Sequence, residues 1–177
     1  DILGLNYLKL IGDLGKDEGR FVVDKMPYNF MHVGVIHRSL PNAKIILCER
    51  EPLDNCFSIY KQKFGIGNDF AYSLKEIGEY YNLYKDLMSH WESVLPKKMF
   101  RVSYEDLIAN QEKVSKKMID FCQLNWEEEC LNFHSTKREV NTASAVQVRK
   151  PIYKTSVNLW KKYKDNLNPL ITELNKG

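Results

Sequence analysis

The sequence is short of several things that would decide a function at once. Its 177 residues hold no apolar run long enough to cross a membrane and no signal-peptide pattern, so a cytoplasmic protein without a membrane span is expected. Basic runs are missing: 26 Lys and Arg against 23 Asp and Glu leave a net charge of +3, too little to argue for a nucleic-acid partner. The four cysteines, Cys48, Cys56, Cys122 and Cys130, match no metal-ligand spacing, and two fall on faces expected to be buried. Reduced structural thiols are expected in preference to disulfides. No repeat, linker or low-complexity segment divides the chain. With 44% hydrophobic and 28% charged residues, it reads as one domain, residues 1–177, with room for a real core. An initiating Met is also lacking, and Asp1 lies inside a helix-like pattern. The expectation is a domain truncated at its N-terminus within a longer protein.

What is present is organised around residues 44 to 64, KIILCEREPLDNCFSIYKQKF. Ile45 to Cys48 form an apolar run too short for a helix, which predicts a buried strand over 44–49. Pro52 suits the first turn of a new helix, where its missing N–H costs nothing. Leu53, Cys56, Phe57, Tyr60 and Phe64 then make one apolar stripe of helical period. Asp54, Ser58, Lys61 and Gln62 are left on another face. Arg50 thus stands at the carboxyl end of a strand and Ser58 two turns into the following helix. Ligands of open α/β sheets bind outside such strand ends, and a guanidinium with a hydroxyl suits an anion such as phosphate. The plainer reading is a surface Arg paired with an acid and a solvated Ser.

Around this stretch the elements alternate. Residues 2–14 are predicted helical, with Gly15 as the stop. GDLGKDEG at 12–19 has the wrong spacing for a phosphate loop and precedes a strand instead of following one. A strand is predicted over 20–25, a helix over 29–40 with Phe30, Val33, Ile36 and Leu40 buried, and a turn at Pro41-Asn42. Strand, helix, strand makes a βαβ unit, so Lys25 and Arg50 are expected at the same edge of a parallel sheet. A long helix is predicted from Phe70 to Leu95, its aromatic stripe serving packing. A third strand is expected over 99–103, ended by Tyr104-Glu105-Asp106. Residues 111–122 form an amphipathic helix capped by Asn110, and a short helix surrounds 127–131. The stretch 134–155 is polar and irregular, long enough to be functional, with Arg149 and Lys150 as its basic tip. Ser156 is expected to cap a last helix through Val157, Trp160 and Tyr163, interrupted by Pro169.

Several of these segments together resemble a known family. DKMPYNF, CEREPLDNCFSIY, VSYEDL and TASAVQVRKPIYKTSVNLWKKY, in this order from Phe21 to Tyr163, are similar to the sulfotransferases, above all bacterial ones associated with tetratricopeptide repeats and tyrosylprotein sulfotransferases. The resemblance implies an α/β, P-loop NTPase-like three-layer fold with a mainly parallel sheet flanked by helices. It implies transfer of the sulfuryl group of 3′-phosphoadenosine 5′-phosphosulfate (PAPS) to a hydroxyl or amine of a small-molecule, glycan or protein acceptor, without a metal, leaving adenosine 3′,5′-bisphosphate. Upstream tetratricopeptide repeats are a possible neighbour in such proteins. Carried over by motif, Arg50 and Ser58 match the pair that holds the 3′-phosphate, Lys25 a lysine at the transferred group, Tyr104 a nucleotide-contacting tyrosine and Ser144 a serine near the sulfuryl group. Arg149 and Lys150 belong to a loop that closes over the nucleotide.

Four departures stand out. The family's first strand and its 5′-phosphosulfate loop are absent from these residues, so the segment alone is expected to be inactive. No acceptor-activating base is visible: cytosolic relatives place a His where Pro27 stands. Glu51 replaces the usual Asp, and Leu159 stands where a basic residue often precedes the tryptophan. An alternative of another class is a non-catalytic remnant that binds a nucleotide or a partner. A P-loop kinase relative is disfavoured by the lack of a Walker lysine motif.

Overall fold

The computed structural model describes residues 2–14, 21–135 and 149–177. In chain order its elements are α1 (Ile2–Leu14), a 3-10 turn (Pro27–His32) running into α2 (Val33–Ser39), β1 (Ile45–Glu49), α3 (Pro52–Tyr60), a 3-10 turn (Asp69–Tyr72) and α4 (Leu74–Val94). Then come β2 (Met99–Ser103), α5 (Tyr104–Ala109), α6 (Gln111–Phe121), 3-10 segments at Glu128–Ser135 and Leu159–Leu167, and α7 (Asn168–Leu174). β1 and β2 lie side by side and parallel, Ile45 opposite Met99 and Glu49 opposite Ser103. Parallel neighbours need a long crossover, and α3 and α4 supply it.

Successive strand side chains face opposite ways, and the partners of two adjacent residues show what covers each face. Phe100 stacks on Phe121 of α6 at 5.2 Å between centroids. Arg101 turns the other way, to Glu92 of α4 and Glu49 of β1, each at 2.6 Å. Helix, sheet and helix therefore form three layers, the α/β architecture expected. The core sits beside the strands, where Cys56 and Phe57 of α3, Ile77 of α4, and Leu167 and Leu170 meet. Burying each such side chain contributes about 1.5–3 kcal/mol. α4 and α7 approach so closely that a Cβ on Gly78 would stand 2.7 Å from the Cβ of Glu173, which is why a residue without one is found there.

The parts that differ from expectation have local causes. The helix expected from Phe70 to Leu95 divides at Ser73, whose extended backbone and hydroxyl cap α4 by accepting from the Glu76 N–H at 3.3 Å. Ser73-x-x-Glu76 is a capping-box spacing. Tyr104 does not merely end a strand; it opens α5, capped by Ser103, which accepts from the Asp106 N–H at 3.2 Å. Asn110 makes no side-chain cap to α6. Pro169 starts α7 within its first turn rather than interrupting a helix.

The largest correction concerns residues 20–25. Residues 21–26 belong to no strand, and every one is exposed. Phe21, Val22 and Val23 show 63%, 63% and 91% of their surface. An extended backbone becomes a strand only by bonding to an edge, and among the described residues the sheet has two strands, β1 and β2. The expected unit of strands 20–25 and 44–49 is therefore not formed. Of the thiols, Cys56 is buried while Cys48 is exposed. Among the described residues, no helix is long and apolar enough to cross a membrane.

Candidate functional site

The turn from β1 into α3 is held from both sides. The Glu51 N–H donates to the carboxylate of Glu105 on α5 at 3.0 Å, and the Glu51 carboxylate caps α3 by accepting from the Asp54 N–H at 2.7 Å. Arg50, the residue between strand and cap, is thereby fixed at the carboxyl end of β1. Its guanidinium lies over the Tyr104 ring, 4.9 Å from the centroid, an arrangement that Arg favours. Its Nη2 donates to the Ser156 carbonyl at 2.5 Å, and the Tyr104 and Ser156 hydroxyls share a bond of 2.7 Å. The structure thus brings together Arg50, Tyr104 and Ser156.

Ser156 was expected to cap a helix. Asn158 occupies that position instead, with φ 59° and ψ 22°. Left-handed backbone costs an ordinary L residue about 1–2 kcal/mol and Asn tolerates it better than most. This bend turns the Asn158 and Trp160 N–H groups to one acceptor, Asp54, at 2.5 and 2.9 Å. Asp54 is only 2% exposed. A buried carboxylate is stable when its oxygens accept such bonds.

Two donors of this group are left over: among the described residues Arg50 Nε and Trp160 Nε1 are buried with no hydrogen-bond partner. Buried polar groups are rarely left unpaired, and an Arg donor set between Tyr104 and the helix start suits an anion. Ser58 lies four residues beyond Asp54, one turn along the same face of α3, exposed and hydrogen-bonded to none of the described residues. The elements therefore offer Arg50 and Ser58 along one side of α3, with Asp54 and its clamped backbone between them.

Lys25, Arg149 and Lys150 lie on other segments of the chain. Lys25 is exposed at the end of the 21–26 segment and forms no hydrogen bond or ion pair to a described residue. The segment is tied down next to it: Asp24 accepts from the Tyr7 hydroxyl and from the Asn29 amide, the latter at 3.3 Å. That carboxylate pushes the Tyr7 phenol up to about 12. Arg149 and Lys150 are exposed at the start of the last described stretch. Ser144 lies outside the described residues. The parallel-sheet argument that placed Lys25 and Arg50 at one edge fails with the missing strand.

Glu105, Asp54 and Ser156 escaped the sequence reading. Asp54 carried a signal, since it shares the non-apolar face of α3 with Ser58, whereas contacts from 104 and 106 residues away left none. A cleft of about 500 Å³ opens elsewhere on this turn, lined by Glu49, Glu51, Tyr81, Tyr84 and Arg101 among others. It includes none of the expected anion-binding residues. Burial, then the Glu49 carboxylate, pushes the Tyr84 phenol up to about 12. Among the described residues no three His, Cys, Asp or Glu side chains gather as a metal site requires.

Comparison with known proteins places this geometry. Residues 6–128 match the model of the sulfotransferase family, a span that includes Lys25, Arg50, Ser58 and Tyr104 and stops short of Ser144, Arg149 and Lys150. An uncharacterised protein of Aquifex aeolicus (strain VF5) is 38% identical over 174 residues, 97% of this chain and 23% of that protein. The chain thus spans about a quarter of that relative's length. The solved sulfotransferase domain from the curacin biosynthetic pathway has a TM-score of 0.65 at 20% identity, over 97% of this chain and 67% of that one, which establishes the shared fold. With more than half of its residues matched by the family model, the chain belongs to the sulfotransferase family.

Proposed function

We propose that the intact protein is a PAPS-dependent sulfotransferase acting on a hydroxyl or amine of a small-molecule, glycan or protein acceptor. The observation that carries this reading is the buried Nε of Arg50, without a hydrogen-bond partner among the described residues, in a guanidinium held over Tyr104 at the end of β1. In this reading Arg50 and Ser58 bind the 3′-phosphate of the nucleotide and Tyr104 lines its site, with Arg149 and Lys150 adding positive charge at the entrance. The nucleotide's contribution when bound is an activated sulfuryl group. Lys25 holds its ammonium where negative charge builds on the bridging oxygen as that bond breaks, a contribution felt mainly in the transition state. Ser144 is assigned to the same transfer step by its motif.

Equilibrium binding to the intact protein tests the reading. Charge-assisted hydrogen bonds contribute roughly 1.5–3 kcal/mol each, so adenosine 3′,5′-bisphosphate is expected to bind about tenfold or more tightly than adenosine 5′-phosphate. Equal affinities would overturn it.

A further inference from the structure

We infer that Asp54 is a positioning residue of the nucleotide site, clamping residues 156–160 so that Ser156 orients the Arg50 guanidinium. The inference rests on the nucleotide reading above and extends it to a residue that binds no ligand itself. Its basis is a chain of contacts. The two oxygens of one buried carboxylate receive two backbone N–H groups, Asn158 at 2.5 Å and Trp160 at 2.9 Å. Two residues before the first of these, the Ser156 carbonyl receives Arg50 Nη2, and the Ser156 hydroxyl meets that of Tyr104. Arg50 is thus oriented by a segment that Asp54 anchors, and its Nε is the donor without a partner among the described residues. Without the clamp, the left-handed Asn158 loses the bonds that offset its strain. The 156–160 segment is then free to leave Arg50, whose guanidinium regains several orientations. Asp54 sits four residues after Arg50 and four before Ser58, so the clamp lies between the two groups that the reading assigns to the 3′-phosphate.

Other features carry less. In the 500 Å³ cleft, Glu49 and Arg101 are committed to each other at 2.6 Å and Glu51 to the cap of α3. The exposed apolar residues of α1 and 21–23 have nothing on them that identifies a partner.

The test compares the intact wild-type protein with Asp54→Asn and Asp54→Glu. Hydrogen exchange of residues 156–160 is measured without nucleotide, and affinities are measured for adenosine 3′,5′-bisphosphate and adenosine 5′-phosphate. Asp54→Asn keeps the side-chain shape but turns an amide N–H₂ toward one of two donors. Exchange of 156–160 should quicken about tenfold, and bisphosphate affinity should fall about tenfold. Adenosine 5′-phosphate should be held within about twofold of wild type. Asp54→Glu, which keeps the carboxylate, should recover part of both losses. Unchanged exchange in Asp54→Asn overturns the clamp, and quickened exchange with an unchanged preference for the bisphosphate overturns its service to the site. A wild-type protein with no such preference overturns the nucleotide reading instead; the exchange arm, which needs no nucleotide, tells the two failures apart. Should Asp54→Asn not fold, Asp54→Glu decides: exchange of 156–160 should quicken and the preference for the bisphosphate fall together, each less than in full loss of the clamp, and any other outcome overturns the inference.

Discussion

Arg50 and Lys25 stand at opposite extremes of construction. Around Arg50, Glu105 holds the turn, Glu51 caps the helix, Tyr104 lies under the guanidinium and Ser156 accepts from it. Around Lys25 no helix or strand forms and residues 21–26 are exposed, with Phe21, Val22 and Val23 open to solvent and Asp24 tied to Tyr7 and Asn29. The difference shows where each kind of precision comes from. A strand end that runs into a capped helix fixes a side chain through bonds within the neighbouring elements. An extended segment fixes one only when an edge is beside it to accept its backbone.

The largest expected effect contrasts the two regions directly. Leu170 is fully buried, next to Ile77 and Cys56, so Leu170→Ala should cost about 2–5 kcal/mol of stability. Val23→Ala, at a position 91% exposed, should stay within about 0.5 kcal/mol. Denaturant unfolding of the intact protein checks both. A cost at Val23 approaching that at Leu170 would break the comparison, by showing that residues 21–26 are packed in the intact protein.

Next in size is the contrast in catalysis. Removing one electrostatic donor to developing charge typically lowers kcat about a hundredfold or more, and Lys25→Ala in the intact enzyme is expected to do so. Its affinity for adenosine 3′,5′-bisphosphate should remain within about twofold of wild type, since the effect lies in the transition state. Steady-state kinetics with nucleotide titration separates the two, and a normal kcat removes Lys25 from the mechanism.

A smaller effect sharpens the well-packed side. Burial, and after it the Glu51 carboxylate, pushes the Cys56 thiol from 9.0 up to about 12. The folded chain therefore holds this proton more tightly than the unfolded one. The resulting stability is complete below about pH 9 and is lost as pH rises toward 12. Between pH 9 and 10, Cys48 and the tyrosines whose values are also raised add to the slope alike in wild type and variant. In that window the slope of stability against pH should flatten in Cys56→Ala, and an unaltered slope would show that the thiol is not the group responsible.

Local patterns carried much of this into the sequence. The β1–Arg50–α3 segment was legible because strand, proline and apolar stripe follow one another without interruption; its strand and helix start lie within a residue of expectation, whereas α3 ends at Tyr60, short of the Phe64 that the stripe included. β2 and α6 were legible for the same reason. The Ser73 and Ser103 caps were readable as Ser-x-x-Glu and Ser-x-x-Asp but were passed over inside longer apolar patterns. The strand at 20–25 was misread because Phe-Val-Val has β propensity, whereas pairing depends on an edge that composition does not report. Ser156 was misassigned for a related reason: a hydroxyl before an apolar run reads as a cap, and only the distant Asp54 and Tyr104 show that it serves Arg50.

The central claim is that Arg50 reads a 3′-phosphate, and calorimetric titration of intact wild-type and Arg50→Ala protein tests it most directly. Loss of the guanidinium should weaken binding of adenosine 3′,5′-bisphosphate about tenfold or more while barely changing that of adenosine 5′-phosphate. Equal losses for the two nucleotides would contradict the account.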